Sequence, residues 1–251
     1  MVSAPLFSCV IPVKGNRPFF GEAISSLKSQ GYEKDLEIII QDADVEPDVG
    51  QSDALNKGFA KTKGEWLFWL NADDVLLPGA IKRVLDRIDG SDRIDWIAGD
   101  TVYLDEKGIV KEVRTDAKWR PWFGKKLSVW TGGPSAFFRR SLWEKRGGFD
   151  ADLKYVMDID LWTRWAKAGE RFVGLGDYIW GFREHEASLT GSGDNRAAQL
   201  GEWARIDARC GVASTGFWRN LTRVACVLDG SWFKRQRDTA KLKGRHWREI
   251  V

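Results

Sequence analysis

The chain has 251 residues, 43% hydrophobic and 30% charged, a length and balance suited to one large globular domain with a sizeable core. No run of 18 apolar residues is present, which excludes a membrane-spanning helix, and three scattered cysteines (Cys9, Cys210, Cys226) exclude a disulfide framework or a zinc motif. The net charge of +3 is unevenly spread: residues 217–251 carry nine Lys/Arg against three Asp/Glu, and the remainder is slightly acidic. Tryptophan, at 14, is several-fold above ordinary usage. Such rings serve cores, sugar-binding surfaces and membrane interfaces.

In chain order, Leu6–Ile11 reads as a buried strand stopped by Pro12, not as a signal peptide, because Met1–Lys14 has neither a basic segment nor a small-residue cleavage site. A reducing cytosol is the expected compartment. Phe20, Ala23, Ile24 and Leu27 recur at helical spacing up to Gly31. Leu36–Ile40 is a second strand, 52–61 a helix, and Glu65–Leu70 a third strand running into Asn71-Ala72-Asp73-Asp74. Ile81, Val84, Leu85 and Ile88 mark another helix, and Asp95–Ala98 a short strand. This alternation predicts an α/β fold with a mostly parallel sheet flanked by helices.

Beyond residue 100 the pattern changes. Strands 101–104 and 109–114 flank a hairpin signal at Asp105-Glu106-Lys107-Gly108. Helices are expected at 141–146, 158–167 and 197–209, and strands at 171–175 and 178–182. The expected division is 1–100 and 101–190 as two halves of one domain, with 191–251 a basic, Trp-rich helical extension. No internal repeat appears.

In open α/β sheets ligands bind beyond the carboxyl ends of the strands. Three clusters fall there: Pro12-Val13-Lys14, Gln41-Asp42-Ala43-Asp44 and Asn71-Ala72-Asp73-Asp74. Adjacent carboxylates after a buried strand suit a divalent cation; a solvated turn or helix cap before Pro78 is the other reading. No phosphate-binding glycine loop is present, so nucleotide phosphates would be held through a metal.

Five ordered segments resemble family 2 glycosyltransferases of the GT-A fold, in the branch of bacterial O-antigen and polysaccharide enzymes. They are Ile11-Pro12-Val13; Ile40-Gln41-Asp42; 50–58; 64–79; and Phe137–Trp143 through Gly148-Phe149-Asp150 to 157–162, together covering roughly residues 5 to 190. The resemblance implies a Rossmann-like GT-A domain that binds a UDP-sugar. Asp42 would accept a hydrogen bond from uracil, and Pro12 and Val13 would line the base. Ser52, Asp53 and Asn56 would contact the nucleotide. Asn71, Ala72 and Asp73 stand as the DxD motif, with Asp73 ligating Mn²⁺ or Mg²⁺ on the donor diphosphate. His185 would be a second metal ligand, or else a structural histidine. Asp158 would be the catalytic base, and inversion at the anomeric carbon would follow.

The sequence departs from the family pattern in three places. Asn71 replaces the first aspartate of DxD, Asp42-Ala43-Asp44-Val45 replaces the usual Asp-Gly-Gly-Ser turn, and Met157 stands where many members have Glu. Asp158 also falls at a predicted helix start, where a capping role is the plain alternative. Asp160 is expected to cap or brace that helix. Trp130, Trp180 and Arg183 are candidates for the acceptor site, with core packing for the tryptophans and ion pairing for Arg183 as the alternatives. Trp66, Trp69, Trp162 and Trp165 read as core.

The expected reaction is transfer of a sugar to a hydroxyl of a saccharide acceptor, lipid-linked through polyprenyl diphosphate, in surface polysaccharide synthesis. The tail combines Phe217, Trp218, Trp232, Phe233 and Trp247 with nine cations, the composition of a helix lying on an anionic membrane surface, here the inner face of the cytoplasmic membrane; a merely solvated basic face is the alternative. It matches no nucleic-acid module, so no nucleic-acid partner is expected. Two other readings remain: a binding module of the same fold without turnover, and a sugar nucleotidyltransferase, whose Gly-rich loop the segment 13–18 does not supply. The sugar and the linkage are not encoded in any motif.

Overall fold

The computed structural model describes residues 4–89, 94–115, 129, 131–186, 188, 195–212, 224 and 226–250. The strands are β1 (Phe7–Val13), β2 (Leu36–Asp42), β3 (Trp66–Trp69), β4 (Val75–Leu76), β5 (Trp96–Leu104), β6 (Val110–Arg114), β7 (Ala136–Arg139) and β8 (Phe172–Arg183). The helices are α1 (Phe20–Lys28), α2 (Gln51–Lys61), α3 (Ala80–Ile88), α4 (Arg140–Arg146), α5 (Met157–Lys167), α6 (Arg196–Cys210) and α7 (Ser231–Leu242). No helix among the described residues is long and apolar enough to cross a membrane.

The strands form one sheet in the order β2-β1-β3-β7-β5-β8-β4, with β6 paired to β5. The first three strands are parallel, as the alternation with helices predicts. The sheet as a whole is mixed rather than mostly parallel, because β7 inserts antiparallel between β3 and β5 and the β5–β6 hairpin adds another antiparallel pair. Only β5 and β8 restore parallel pairing on the far side.

Three local expectations are corrected. β1 continues through Pro12 to Val13, paired with β2 throughout. Its pairing with β3 ends at Val10, so the N–H that proline lacks faces no strand. The segments expected at 95–98 and 101–104 are one strand, with a register irregularity around Gly99 and Asp100. A Cβ at Gly99 would lie 2.5 Å from the Ile179 side chain and 2.8 Å from the Asp177 carbonyl, so glycine is what permits β5 and β8 to approach there. Likewise 171–175 and 178–182 are one strand, β8.

Tryptophan fills the core beneath α5. Trp162 stacks between Trp69 (5.9 Å) and Trp96 (5.1 Å), and Trp165 leans on both Trp96 and Trp162. Trp66, Trp69, Trp162 and Trp165 are all buried, as read from the sequence. A smaller apolar cluster holds the C-terminal end: Leu242, Trp247 and Ile250 pack on Val102, Leu104, Val110 and Val113 of the hairpin.

One polar side chain binds the elements that carry the loop after β3. Arg183, at the end of β8, has a fully buried side chain. Its Nε donates to the Asp73 carbonyl (2.9 Å), Nη1 to the Glu106 carbonyl (2.8 Å) and Nη2 to Glu22 Oε2 of α1 (2.7 Å), and its guanidinium lies over the Phe19 ring. A buried cation is tolerable only when its donors are met. Removing it takes a partner from the Asp73 and Glu106 carbonyls and leaves part-exposed Glu22 with the Trp247 indole N–H alone among the described residues. Arg183→Met is therefore expected to cost about 2–3 kcal/mol of stability, chiefly from the buried acceptors it leaves unmet. Urea denaturation measures this; a loss under about 1 kcal/mol would mean that the network is not a stabilising unit.

Candidate active site

The carboxyl ends of β1, β2 and β3 face one edge of the sheet. Asp42 ends β2, and its Oδ1 accepts from Arg17 Nη2 (2.6 Å) and from the Asp44 backbone N–H (3.0 Å). Asp44 Oδ2 accepts from Arg17 (3.0 Å) and from the Gly15 N–H (3.2 Å). The turn that departs from Asp-Gly-Gly-Ser thus uses its second carboxylate to tie down the loop after β1. Pro12 and half-buried Asp42 lie at the rim of this edge, and Val13 is buried, its carbonyl accepting from the Ala43 N–H.

The loop after β3 has a hydrogen-bond order that the sequence does not reveal. Asp74 is buried: Oδ1 accepts from the Arg183 N–H (2.9 Å) and Oδ2 from Asn71 Nδ2 (2.8 Å). Burial, and then the Asp73 charge beside it, push its carboxyl well above the usual range. Asn71 Oδ1 in turn accepts from Gln51 Nε2 at the start of α2 (2.7 Å). This accounts for Asn71 physically. An aspartate there would set a second carboxylate against Asp74, with no donor between them, whereas the amide supplies one. Ala72 is partly buried and packs on the apolar core.

Asp73 points the other way. Its Oδ2 lies 2.9 Å from His185 Nε2, and about a third of its side chain is exposed. The His185 ring packs near Phe19, with centroids 5.2 Å apart. A carboxylate oxygen and an imidazole nitrogen, two residues beyond the buried Arg183, form a ready pair of donors for a cation that accepts both, and Mn²⁺ suits imidazole better than Mg²⁺ does. No group of three or more His, Cys, Asp or Glu suited to a metal occurs among the described residues. Asp73 and His185 could supply two of the donors of a cation that a ligand diphosphate also holds.

Asp158 is the second residue of α5. Its Oδ1 accepts from the Ile159 N–H (2.8 Å), and a Gly133 Cβ would lie 3.1 Å from its Oδ2. The same Cβ would strike Trp69 at 2.2 Å, and one at Gly132 would strike Trp180 at 2.2 Å. The glycine pair therefore lets the chain pass between two tryptophans and close over Asp158. Desolvation raises the Asp158 carboxyl to about 6, against backbone N–H groups of Ile159 and Gly133 that pull it down. Among the described residues no cation pairs with it. Asp160 is the opposite case: fully buried, it is bridged by Arg164 (2.9 Å) and Arg209, the bracing role expected of it.

The remaining expected residues are placed as follows. Ser52 is buried, donating to the Leu153 carbonyl (2.7 Å). Asn56 exchanges two hydrogen bonds with the Phe149 backbone (both 2.9 Å). Both side chains thus tie α2 to the segment leading into α5, rather than facing a ligand. Asp53 pairs with Lys57 (2.8 Å), a contact that pulls its carboxyl below the usual range. Arg183 and Trp180 are turned inward, Trp180 with 6% of its surface exposed, so the ion-pairing and packing alternatives describe them. Trp130 lies outside the described residues. Sequence reasoning did not find Arg17, Gln51 or Gly133. Only Gly132-Gly133 carried a visible signal, a glycine pair between aromatic segments.

Comparison with known proteins gives a consistent picture. Residues 46–144 match the model of glycosyl transferase family 2. An uncharacterised glycosyltransferase of Rickettsia typhi is 25% identical over 256 residues, spanning 90% of this chain and 75% of that protein. One of Rickettsia prowazekii is also 25% identical, over 90% and 76%. Among solved structures, a Pyrobaculum calidifontis mannosyltransferase in complex with GDP-mannose and Mn²⁺ superposes with a TM-score of 0.59 at 17% identity, over 82% of this chain and 64% of that one. S. aureus TarS 1–349 in complex with UDP-GlcNAc gives 0.60 at 16%, over 74% and 60%. The chain spans less than two thirds of either solved structure. The mixed α/β sheet flanked by helices, the family 2 match over residues 46–144 and the named relatives together make this chain a glycosyltransferase of GT-A fold.

Proposed function

We propose that the protein is an inverting, divalent-metal-dependent transferase that moves a sugar from a UDP-sugar to a hydroxyl of a lipid-linked saccharide in surface polysaccharide synthesis. The observation that carries the reading is Asp158, a half-buried carboxyl beneath Gly133, raised to about 6 by desolvation and with no cationic partner among the described residues. An ion-paired carboxylate would be a weak base and an exposed one would titrate near 4; this one is tuned toward neutral pH. Its role is to accept the acceptor hydroxyl proton as that oxygen attacks the anomeric carbon. Asp73 and His185 would hold Mn²⁺ or Mg²⁺, which when bound supplies positive charge against the departing diphosphate. Asp42 keeps one carboxylate oxygen without a partner among the described residues, suited to an N–H donor such as uracil N3–H.

The acceptor side of the proposal rests on the C-terminal extension. Val224, Val227 and Leu228 (82% exposed) before α7, and Trp232 and Phe233 in its first turn, are an exposed apolar run in sequence. Cations of α7 are partly spent inward, Lys234 on Asp100 (3.1 Å) and Arg235 on Glu112 (3.2 Å). Trp247, expected on the membrane face, is instead buried in the hairpin cluster. Phe217, Trp218, Arg219 and Arg223 lie outside the described residues. The apolar run with Arg237, Lys241 and Arg245 is the part suited to an anionic bilayer at which a lipid-linked acceptor would be met.

Two expected outcomes test the base. Asp158→Asn should lower UDP-sugar turnover by about 10²–10⁴-fold while leaving UDP affinity unchanged, and wild-type kcat should rise with pH through an acid limb near 6. Turnover within tenfold of wild type would remove Asp158 from the mechanism.

Stability should move in the opposite sense. The folded carboxyl holds its proton more tightly than the unfolded chain, whose value is near 3.8, so the folded state loses stability as pH rises from about 4 to about 6. Asp158→Asn avoids that loss. It should be more stable than wild type at pH 7, by on the order of 2 kcal/mol after allowing for partial exposure, and about equal near pH 4. Thermal unfolding at the two pH values checks this.

A further inference from the structure

Helix α5 begins without a capping side chain of its own, since its N-cap is Val156. A helix start leaves backbone N–H groups unpaired, and they must find acceptors elsewhere. Of these, the Ile159 N–H is met by Asp158 Oδ1 within the helix itself, and the Val156 N–H, with the two before it, is met from another helix. The Glu202 carboxylate of α6 accepts from three consecutive N–H groups, Lys154 at Oε1 (2.8 Å) and Tyr155 and Val156 at Oε2 (2.8 and 3.1 Å). Those are the last three residues before Met157 and Asp158.

The grip extends to both sides of Asp158. Arg209, seven residues after Glu202 and so on the same helix face, pairs with Asp150 (2.7 Å) and with Asp160. Ile206, between them on that face, is fully buried against the core. The Tyr155 hydroxyl donates to Asn195 Oδ1 (2.9 Å), one residue before α6. The apolar part of this face is narrow, and charge-assisted hydrogen bonds carry much of the docking.

We infer that Glu202 is a positioning residue for the transfer reaction: by holding the backbone of residues 154–156 it sets where Asp158 stands, and it makes helix α6 a working part of the active site. This rests on the reading of Asp158 as the base. A base must stand within hydrogen-bond reach of the attacking hydroxyl, and a displacement of about 1 Å can cost about 100-fold in rate. A cap supplied by residue 156 itself would fix the helix start locally. A cap supplied from α6 makes that geometry depend on how α6 is seated.

The test uses the full chain with Glu202→Ala and the milder Glu202→Gln, in which one carboxylate oxygen becomes a donor facing backbone N–H groups. Turnover is read on UDP-glucose, UDP-galactose and UDP-GlcNAc with Mn²⁺, UDP affinity by calorimetry, and amide hydrogen exchange over residues 154–160. The expected result is a fall in kcat of about 10–100-fold, KM and UDP affinity within twofold, and faster exchange confined to 154–160. Glu202→Gln should show the same pattern more weakly, which covers the case in which the alanine variant fails to fold. A folded variant with wild-type kcat overturns the inference, as does a fall in kcat that arrives with an equal loss of UDP affinity. If no donor in the panel is turned over, unchanged exchange at 154–160 overturns it. Failure of the base reading is separate: Asp158→Asn would then turn over like wild type.

Discussion

The guanidinium of Arg183 is buried among a carboxylate and backbone carbonyls drawn from three parts of the chain, α1, the loop after β3 and the β5–β6 turn. Its backbone N–H holds Asp74, and two residues on, His185 meets Asp73. The part-exposed Asp73 carboxylate and the His185 imidazole are thus fixed by a buried cation on one side and a buried carboxyl on the other. Such a network is costly to desolvate, and its worth lies in the geometry that it imposes. Trp247 adds a link from the C-terminal end, its indole N–H donating to Glu22 (3.4 Å).

Asp158 is held by a different set of contacts. Trp69 at the end of β3 presses on Gly133, Gly133 closes over the carboxyl, and Trp162 of the same helix stacks on Trp69. Ser52 and Asn56 then fasten the start of α2 to the chain between Phe149 and Met157. Ser52 and Asn56, expected from their positions to contact a nucleotide, instead join α2 to the segment that leads into α5. The expected site residues are therefore connected mechanically, even where their side chains do not face a common ligand.

Much of this was legible in the sequence, for physical reasons. Strand and helix periodicity located β1 to β3 and α1 to α3, and the polar clusters at strand ends placed Asp42 and Asp73. What was not legible depends on contacts between distant residues. Nothing near Asn71 in the sequence says that its amide serves Asp74. Nothing near Val156 says that its helix is capped from position 202. The antiparallel insertion of β7 was missed because Ala136–Arg139 is four residues long, too short for a period to register. Trp247 was misjudged because a basic, aromatic tail has the same composition whether its rings face lipid or a hairpin core.

The central claim is that the edge holding Asp42, Asp73 and His185 is a metal-assisted site for a nucleoside diphosphate. Calorimetric titration of UDP into the full chain with Mn²⁺, then with EDTA, then into Asp73→Ala with Mn²⁺, tests it most directly. The account predicts saturable binding with Mn²⁺ that EDTA and the substitution each weaken at least tenfold. Equal binding under all three conditions, or no binding of UDP with Mn²⁺ present, would contradict it.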